Sequence, residues 1–298
     1  MAGLASTGNI NRTRANQMEA LRYRLGWVAQ RLSAHVVLIL FGIIFMLPFL
    51  WMLSSALKPT ADIFEIPVRF IPKNVIFTNF PESIAAINFF GYLGNTFIYA
   101  IGIMIGAVLS NVFIAYGFSR IQWPGRDVVF IIVIATMMLP AQVRFIPLFI
   151  TYSQWGWLDT FLPLIVPAFF GNAFFVFMIR QFMLTFPVEL DDAARIDGAN
   201  ELRIFWYIVL PLSKAAIITV AIFEFMHGWH DFINPLVFLR NPDMYTLSVG
   251  LRLYFTQHGA EWGLLMAAAT LFTLPMVVVF FFAQRTFIEG IALTGIKG

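Results

Sequence analysis

Long apolar blocks separated by short polar connections set the pattern of this chain. A bilayer core takes about 20 apolar residues per helix, and residues 35–57, 92–118, 128–142, 161–183, 215–239 and 262–283 meet that need. The third block is short where it stops before Arg144, and it gains length if it runs on through 145–150. The runs are too long for barrel strands and lack their alternation. The expectation is an all-α polytopic membrane protein with six transmembrane helices. Pro48, Pro140, Pro163, Pro167 and Pro275 fall inside the spans, where membrane helices tolerate kinks.

The connections divide the chain further. Residues 1–34 form a polar N-terminal arm, and the apolar run after it is too long for a signal-peptide core and lacks a small-residue cleavage site, so it stays as an anchor. Residues 35–91 hold the first span and an outer loop. That loop, with Pro59, Pro67, Pro72 and Pro81, reads as irregular or lying partly on the membrane surface. Residues 92–285 form the transmembrane core, with a long inner loop at 184–213 and a second outer loop at 240–261. Residues 286–298 form a short tail. Lysine and arginine bias orients the chain. With the N-terminus inside, inner segments hold 13 of the 19 basic residues and outer segments six. The outer six are Lys58, Arg69, Lys73, Arg144, Arg240 and Arg252, so both termini and the 184–213 loop are expected in the cytoplasm.

That loop departs from a plain connection. Pro187 suits the first turn of a helix, and Glu189, Asp191 and Asp192 follow where the helix dipole favours acids. Ala193 and Ala194 are strong helix formers. Gly198 fits the left-handed position past a helix end, and Asn200 suits the cap of a second helix. Leu202, Phe205, Trp206 and Val209 then share one apolar face, and Pro211 limits the helix. The result is a short helix, a tight turn and another short helix. It is long for a bundle connection, and it carries large apolar side chains of the kind that mark docking surfaces.

Composition sharpens the class. The chain is 12% charged, half the usual share of a soluble domain, about 25%. Its net charge of +3 comes from basic residues at span ends rather than a stripe, which argues against nucleic acid. The absence of cysteine excludes disulfides, thiolate metal sites and thiol nucleophiles. No phosphate-cradling G-x-x-x-x-G-K-[ST] loop is present, so the chain has no ATP site of its own and no enzyme activity is expected of it.

The loop resembles a known family. Asp192-Ala193-Ala194, three residues, Gly198, nine residues and Ile208-Val209-Leu210-Pro211 match the EAA pattern of the membrane subunits of binding-protein-dependent ABC importers, with Asp192 where Glu is usual. Further stretches resemble the carbohydrate branch of that family, the maltose and multiple-sugar type, and its smaller six-span subunit. They are Leu47-Pro48-Phe49, Ser54 to Pro59, Met138 to Gln142, Trp155 to Thr160, Trp229-His230-Asp231-Phe232 with Pro235-Leu236, and Tyr245 to Leu251. His230 stands where that branch usually has Asn, and Ser248 where Pro is common. The resemblance covers about residues 35–298. It implies a permease for a sugar or oligosaccharide in the prokaryotic cytoplasmic membrane. A second homologous permease subunit, two ATPase subunits that bind ATP and Mg, and an extracytoplasmic solute-binding protein would complete it; no cofactor is held by the permease itself. Asp192, Ala193, Ala194, Arg195, Asp197, Gly198, Leu202, Phe205 and Pro211 would couple it to the ATPase. The acids and Arg195 would keep the loop in water and offer charged partners.

The fifth block carries Glu224, His227, Trp229, His230 and Asp231. An ionised group at mid-membrane costs roughly 2.5–3.5 kcal/mol on insertion scales, so Glu224 must face a cavity or a partner helix, or be protonated. Glu224, His227 and Asp231 share a face by spacing. Three readings stay open: a substrate pathway with Trp229 stacking on a sugar, structural contacts to a partner subunit, or half of a metal site. A proton-coupled secondary transporter using Glu224, His227 and Asp231, or a membrane metalloenzyme, would use the same residues. Neither rival accounts for the pattern at 192–211. Asn95 and Asn111 read as bonds to neighbouring helices.

Overall fold

The computed structural model describes the backbone of residues 4–256 and 259–295, and side chains over 27–28, 30–140, 142–255 and 260–284. The side chains of Arg12, Arg14, Arg22, Arg24 and Arg285, and the end of the tail with Lys297, lie outside the described residues. The chain divides into a first unit, Met1–Ser54, and a second, Ser55–Gly298. The first unit is helix α1, Leu4–Ala56, which runs through the polar arm and keeps Pro48 within it.

The second unit is helical apart from connecting turns and a two-residue antiparallel pair, β1 (Phe255–Thr256) with β2 (Gly259–Ala260), in which Phe255 faces Ala260. Its centre is α4, Phe89–Ser119. The outer loop before it contributes α2 (Thr60–Ile63) and α3 (Asn79–Ala86), and Asn79 donates to the carbonyls of Ala56 and Lys58 at 2.8 Å each. Helix α12, Lys214–His230, packs along α4 more extensively than any other element. Gly228 makes that possible, because a Cβ there would stand 2.8 Å from the Ala100 Cα. Helix α15, Trp262–Gly295, closes the other side of α12 and keeps Pro275 in its interior. It continues well past residue 283, where the sixth block was expected to end.

Three of the expected spans are interrupted, and a proline lies near each interruption. The residue before a proline is pushed out of the helical region. Leu139 accordingly takes φ −80°, ψ 116°. The third block therefore divides into α5 (Arg126–Ala135) and α6 (Ala141–Gln154), bent by 99° overall, in place of one kinked helix. The fourth holds α7 (Leu162–Ile165), a 3₁₀ stretch through Pro167, a turn at Gly171 with φ +88°, and α8 (Ala173–Met183). The fifth ends its helix at His230 rather than at 239, and a separate α13, Ile233–Phe238, follows. A proline ring collides with the carbonyl four residues earlier in a continuous helix, and four residues before Pro235 is Asp231, where α12 stops.

Interrupted backbone at membrane depth leaves N–H and C=O groups that must find partners. Here α4 supplies them. Asn111 accepts from the Asn172 N–H at 2.7 Å, and Ser110 donates to the Ala168 carbonyl at 2.8 Å. Asn95 donates to the carbonyls of Asp243 and Tyr245. The expected role of both asparagines as inter-element bonds is what the structure displays. Among the described residues four helices are long and apolar enough to cross a membrane, and the count reaches six if each of two bent pairs is one crossing.

Candidate functional site

The 184–213 loop folds much as its residues require. Helix α9 spans Glu189–Ile196, Gly198 takes φ +83°, and Asn200 caps α10 (Glu201–Ile204) by accepting from the Arg203 N–H at 2.9 Å. Pro187 lies before the helix, not in its first turn. After α10 the backbone widens into a π-turn over Phe205–Val209, with the Leu210 N–H bonded to the Phe205 carbonyl. This accommodates Pro211, which lacks the N–H that Tyr207 would otherwise receive in an α-helix. Pro211 then lies within α11, Leu210–Leu212, and Ser213 turns the chain into α12.

The loop has two sides. On one, Ile204, Phe205 and Val209 are buried against α4 and α8, and Phe205 stacks on Phe113 at 4.7 Å. Of the apolar anchors Leu202, Phe205 and Trp206, which by sequence could serve either the ATPase or the chain's own spans, Phe205 packs into its own core. Pro211 borders an apolar groove with Phe113 and Trp206. On the other side Leu202 is 65%, Trp206 51%, Tyr207 80% and Ile196 86% exposed. Asp192, Ala193, Arg195, Asp197 and Gly198 are exposed as well, and Ala194 is half-buried.

The charges divide in the same way, and Asp191 departs from the expectation that the acids keep the loop in water and offer charged partners. Asp191 is buried and accepts from Arg120 at 3.2 Å, with both side chains at most 4% exposed. Arg120 also donates to the carbonyls of Met183 at 2.7 Å and Phe186 at 3.1 Å. Arg195 folds back across the Gly198 turn, donating to Asp192 at 2.9 Å and Glu201 at 3.0 Å. Tyr116 of α4 donates to Glu201 at 2.9 Å. The Arg195 hydrogen bond, and secondarily that of Tyr116, holds the Glu201 carboxyl below the usual glutamate range against the opposing effect of burial.

The polar residues of the fifth block separate. Glu224 and His227 line one cavity of about 320 Å³, together with Tyr99, Arg144, Tyr152, Asn172 and Asn234. Trp229 is fully buried on another side. It lies between Phe225 and Phe272 and donates to the Phe272 carbonyl at 3.1 Å, so it has no face free to stack on a sugar. His230 is exposed, its ring against the Met226 carbonyl. Asp231 works as a joint. It accepts from Tyr99 at 2.6 Å and from the Asn234 side chain at 2.8 Å, and its carbonyl accepts from Ser248 at 2.7 Å. The shared face expected for Glu224, His227 and Asp231 ends with α12. Among the described residues no cluster of three or more metal-ligating side chains exists.

Residues 102–292 match the family described as binding-protein-dependent transport system inner membrane component. The chain belongs to that family. This importer permease is 32% identical over 254 residues to the arabinooligosaccharides transport system permease protein AraQ of Halalkalibacterium halodurans, covering 84% of this chain and 91% of the relative. It is 31% identical over 265 residues to the sn-glycerol-3-phosphate transport system permease protein UgpE of Yersinia enterocolitica, covering 86% and 94%. Its fold matches a chain of a bacterial ABC transporter involved in the import of the acidic polysaccharide alginate, with a TM-score of 0.76, 23% identity, and coverage of 85% and 95%. The chain is a permease subunit of an ABC importer, a multi-pass protein of the prokaryotic cytoplasmic membrane, and this reading prevails over proton-coupled transport.

The importer permease also uses residues that sequence reading missed. Arg120 read as a basic residue at a span end, and its partner Asp191 stands 71 positions away, so nothing in the spacing links them. Arg144 read as an outer-loop charge, yet the break at Pro140 turns it onto the cavity wall. Asn172 and Asn234 gave a usable signal. Each lies beside a Gly or Pro inside an apolar block, where an interruption would free backbone groups.

Proposed function

We propose that this permease carries a sugar or oligosaccharide inward, and that the exposed side of its 189–211 loop is gripped by a separate ATPase subunit. The chain crosses the membrane six times with both termini and the loop in the cytoplasm. Helix α12, with 17 residues, spans roughly 25 Å, and α13 extends it toward the full bilayer core. A second permease subunit, two ATPase subunits that bind ATP and Mg, and an extracytoplasmic solute-binding protein complete the machine. No catalysis occurs in this chain, and it holds no cofactor. Glu224 and His227 line the cargo pathway, while Trp229, His230 and Asp231 support it from outside.

One observation carries the coupling reading. The loop buries one half of its apolar side chains on its own spans and leaves Leu202, Trp206, Tyr207 and Ile196 exposed on the other. Solvent-exposed apolar clusters of this kind mark docking surfaces. The cargo class rests on the names of the relatives, and arabinooligosaccharide is the first substrate to try.

The test exploits the cysteine-free sequence. Leu202→Cys and Trp206→Cys, made singly in the copurified complex, are expected to crosslink to the ATPase subunit with a short bifunctional reagent, while Phe205→Cys is expected not to. Absence of crosslinks from both exposed positions in an assembled, active complex overturns the docking reading. Uptake of arabinooligosaccharide that requires ATP supports the cargo class; failure across neutral and acidic saccharides rejects it.

A further inference from the structure

Glu224 is 8% exposed and accepts no hydrogen bond from any described residue. A buried carboxylate without a hydrogen bond is costly, and it opens onto the cavity shared with His227, Arg144, Asn172 and Asn234. Three helix interruptions meet on this one cavity. Arg144 follows the break at Pro140, Gly171 and Asn172 form the break in the fourth block, and Asn234 follows the break at Asp231. Non-helical backbone at membrane depth persists where protein buries it or where it lines a wet cavity, and all three breaks contribute to the same wall.

The cavity adjoins a second one. Leu148, Tyr152 and Pro167 line it and also line a larger space of about 720 Å³ bordered by Trp155, Trp157 and Phe170. Tyr152 and Trp157 stack at 5.5 Å, and Trp155 meets Trp157 edge-on at 5.1 Å and is 59% exposed. The inner volume lies within the roughly 300–1,000 Å³ of small-molecule sites. Aromatic faces take the apolar C–H side of a sugar ring, and the carboxylate and amides take its hydroxyls.

We propose that this permease subunit holds its own saccharide subsite, with Glu224 accepting sugar hydroxyls at the inner end and Trp155 forming an aromatic mouth. The inference rests on the importer reading and adds the place where this chain touches cargo. Arg144 and Glu224 oppose one another in charge on the cavity wall, so the subsite favours a neutral saccharide over a uronate or a phosphate ester.

The experiment uses the complete importer in lipid nanodiscs, without the solute-binding protein. Tryptophan fluorescence is titrated with an arabinooligosaccharide, an alginate oligosaccharide and sn-glycerol 3-phosphate. The expected result is saturable quenching by the neutral sugar, weakened roughly ten- to hundredfold in Glu224→Gln, the worth of a hydrogen bond to a charged acceptor. Trp155→Ala is expected to lower the quenching amplitude and the affinity. If Glu224→Gln fails to assemble, Trp155→Ala at the exposed mouth decides. Unchanged neutral-sugar affinity in the assembled variants overturns the subsite, and so does quenching by the anionic probes alone. ATP-driven saccharide uptake with an unchanged KM in both variants rejects the subsite and leaves the importer reading standing. Loss of all saccharide uptake by the unaltered importer rejects both.

Discussion

Asp191→Ala tests how the loop is fastened to the spans. The Arg120–Asp191 pair is 3.2 Å apart with side chains 4% and 3% exposed. Removing one member of a buried pair costs about 3–5 kcal/mol, because the other charge stays buried. Arg120 would keep the Met183 and Phe186 carbonyls, but its Nε already has no partner. The expected loss is therefore near the lower bound, about 3 kcal/mol. Replacing both residues with apolar ones of similar size, Arg120→Met with Asp191→Leu, removes the desolvation cost along with the attraction and is expected to fall within about 1 kcal/mol of the unaltered chain. Reversible unfolding in mixed micelles, followed by tryptophan fluorescence, measures both. A loss below about 0.5 kcal/mol for Asp191→Ala, the level of an ordinary surface change, would refute the reasoning. So would a double variant as unstable as the two single changes combined.

Three further outcomes follow from the same geometry. Gly198→Asp is expected to reach the membrane at normal abundance and to hydrolyse ATP without matching uptake; a Cβ there has open space, so its cost is backbone strain of about 1–2 kcal/mol in the left-handed region, and normal uptake at normal abundance counts against the docking surface. Gly228→Ala is expected to destabilise by about 1–3 kcal/mol, read in the same micelle unfolding, because the added Cβ meets backbone at 2.8 Å and α4 and α12 must separate. For Glu201 the folded-state pKa lies below the ordinary 4.5, so its stabilising contribution is complete above that pH and fades as pH falls through the folded value. Protection of the 195–201 amides, taken relative to their intrinsic exchange at each pH, is therefore expected to fall on acidification below about pH 4.5, less so at high salt, and Glu201→Gln is expected to abolish that pH dependence.

Much of the fold was legible because lipid enforces a one-dimensional rule: length and apolarity mark a crossing. Gly198 and Asn200 were legible too, since a left-handed position and a cap each depend on one residue and its immediate neighbours. The broken spans were not. Pro140, Pro167 and Pro235 are compatible with a kinked helix as well as with an interrupted one, and the choice depends on whether a neighbour can receive the freed backbone groups. Asn111 and Ser110 do so at Asn172 and Ala168, a pairing invisible to spacing. Trp229 illustrates the opposite failure. Its position among polar residues suggested a ligand face, while the aromatics that enclose it, Phe97 and Phe272, come from other spans.

The bonds around the cavity are unevenly distributed, and that bears on how it opens. Helix α4 is tied to the loop through Arg120–Asp191 and Tyr116–Glu201, to the break before α8 through Asn111 and Ser110, and to the end of α12 through Tyr99–Asp231. Helix α12 leaves the loop at Ser213 and carries Glu224 about 15 Å along its axis. Force applied to the loop therefore reaches α4, α8 and α12 as one fastened block. Helix α6 supplies Arg144, Leu148 and Tyr152 to the cavity. Among the described residues it meets α4 through apolar packing and α13 through the Tyr152–Phe238 rings, and no hydrogen bond from its side chains reaches α4, α8 or α12. Apolar contacts have no preferred direction, whereas each hydrogen bond fixes distance and angle. Movement that reshapes the cavity therefore costs least along the seam between α6 and the α4–α12 block.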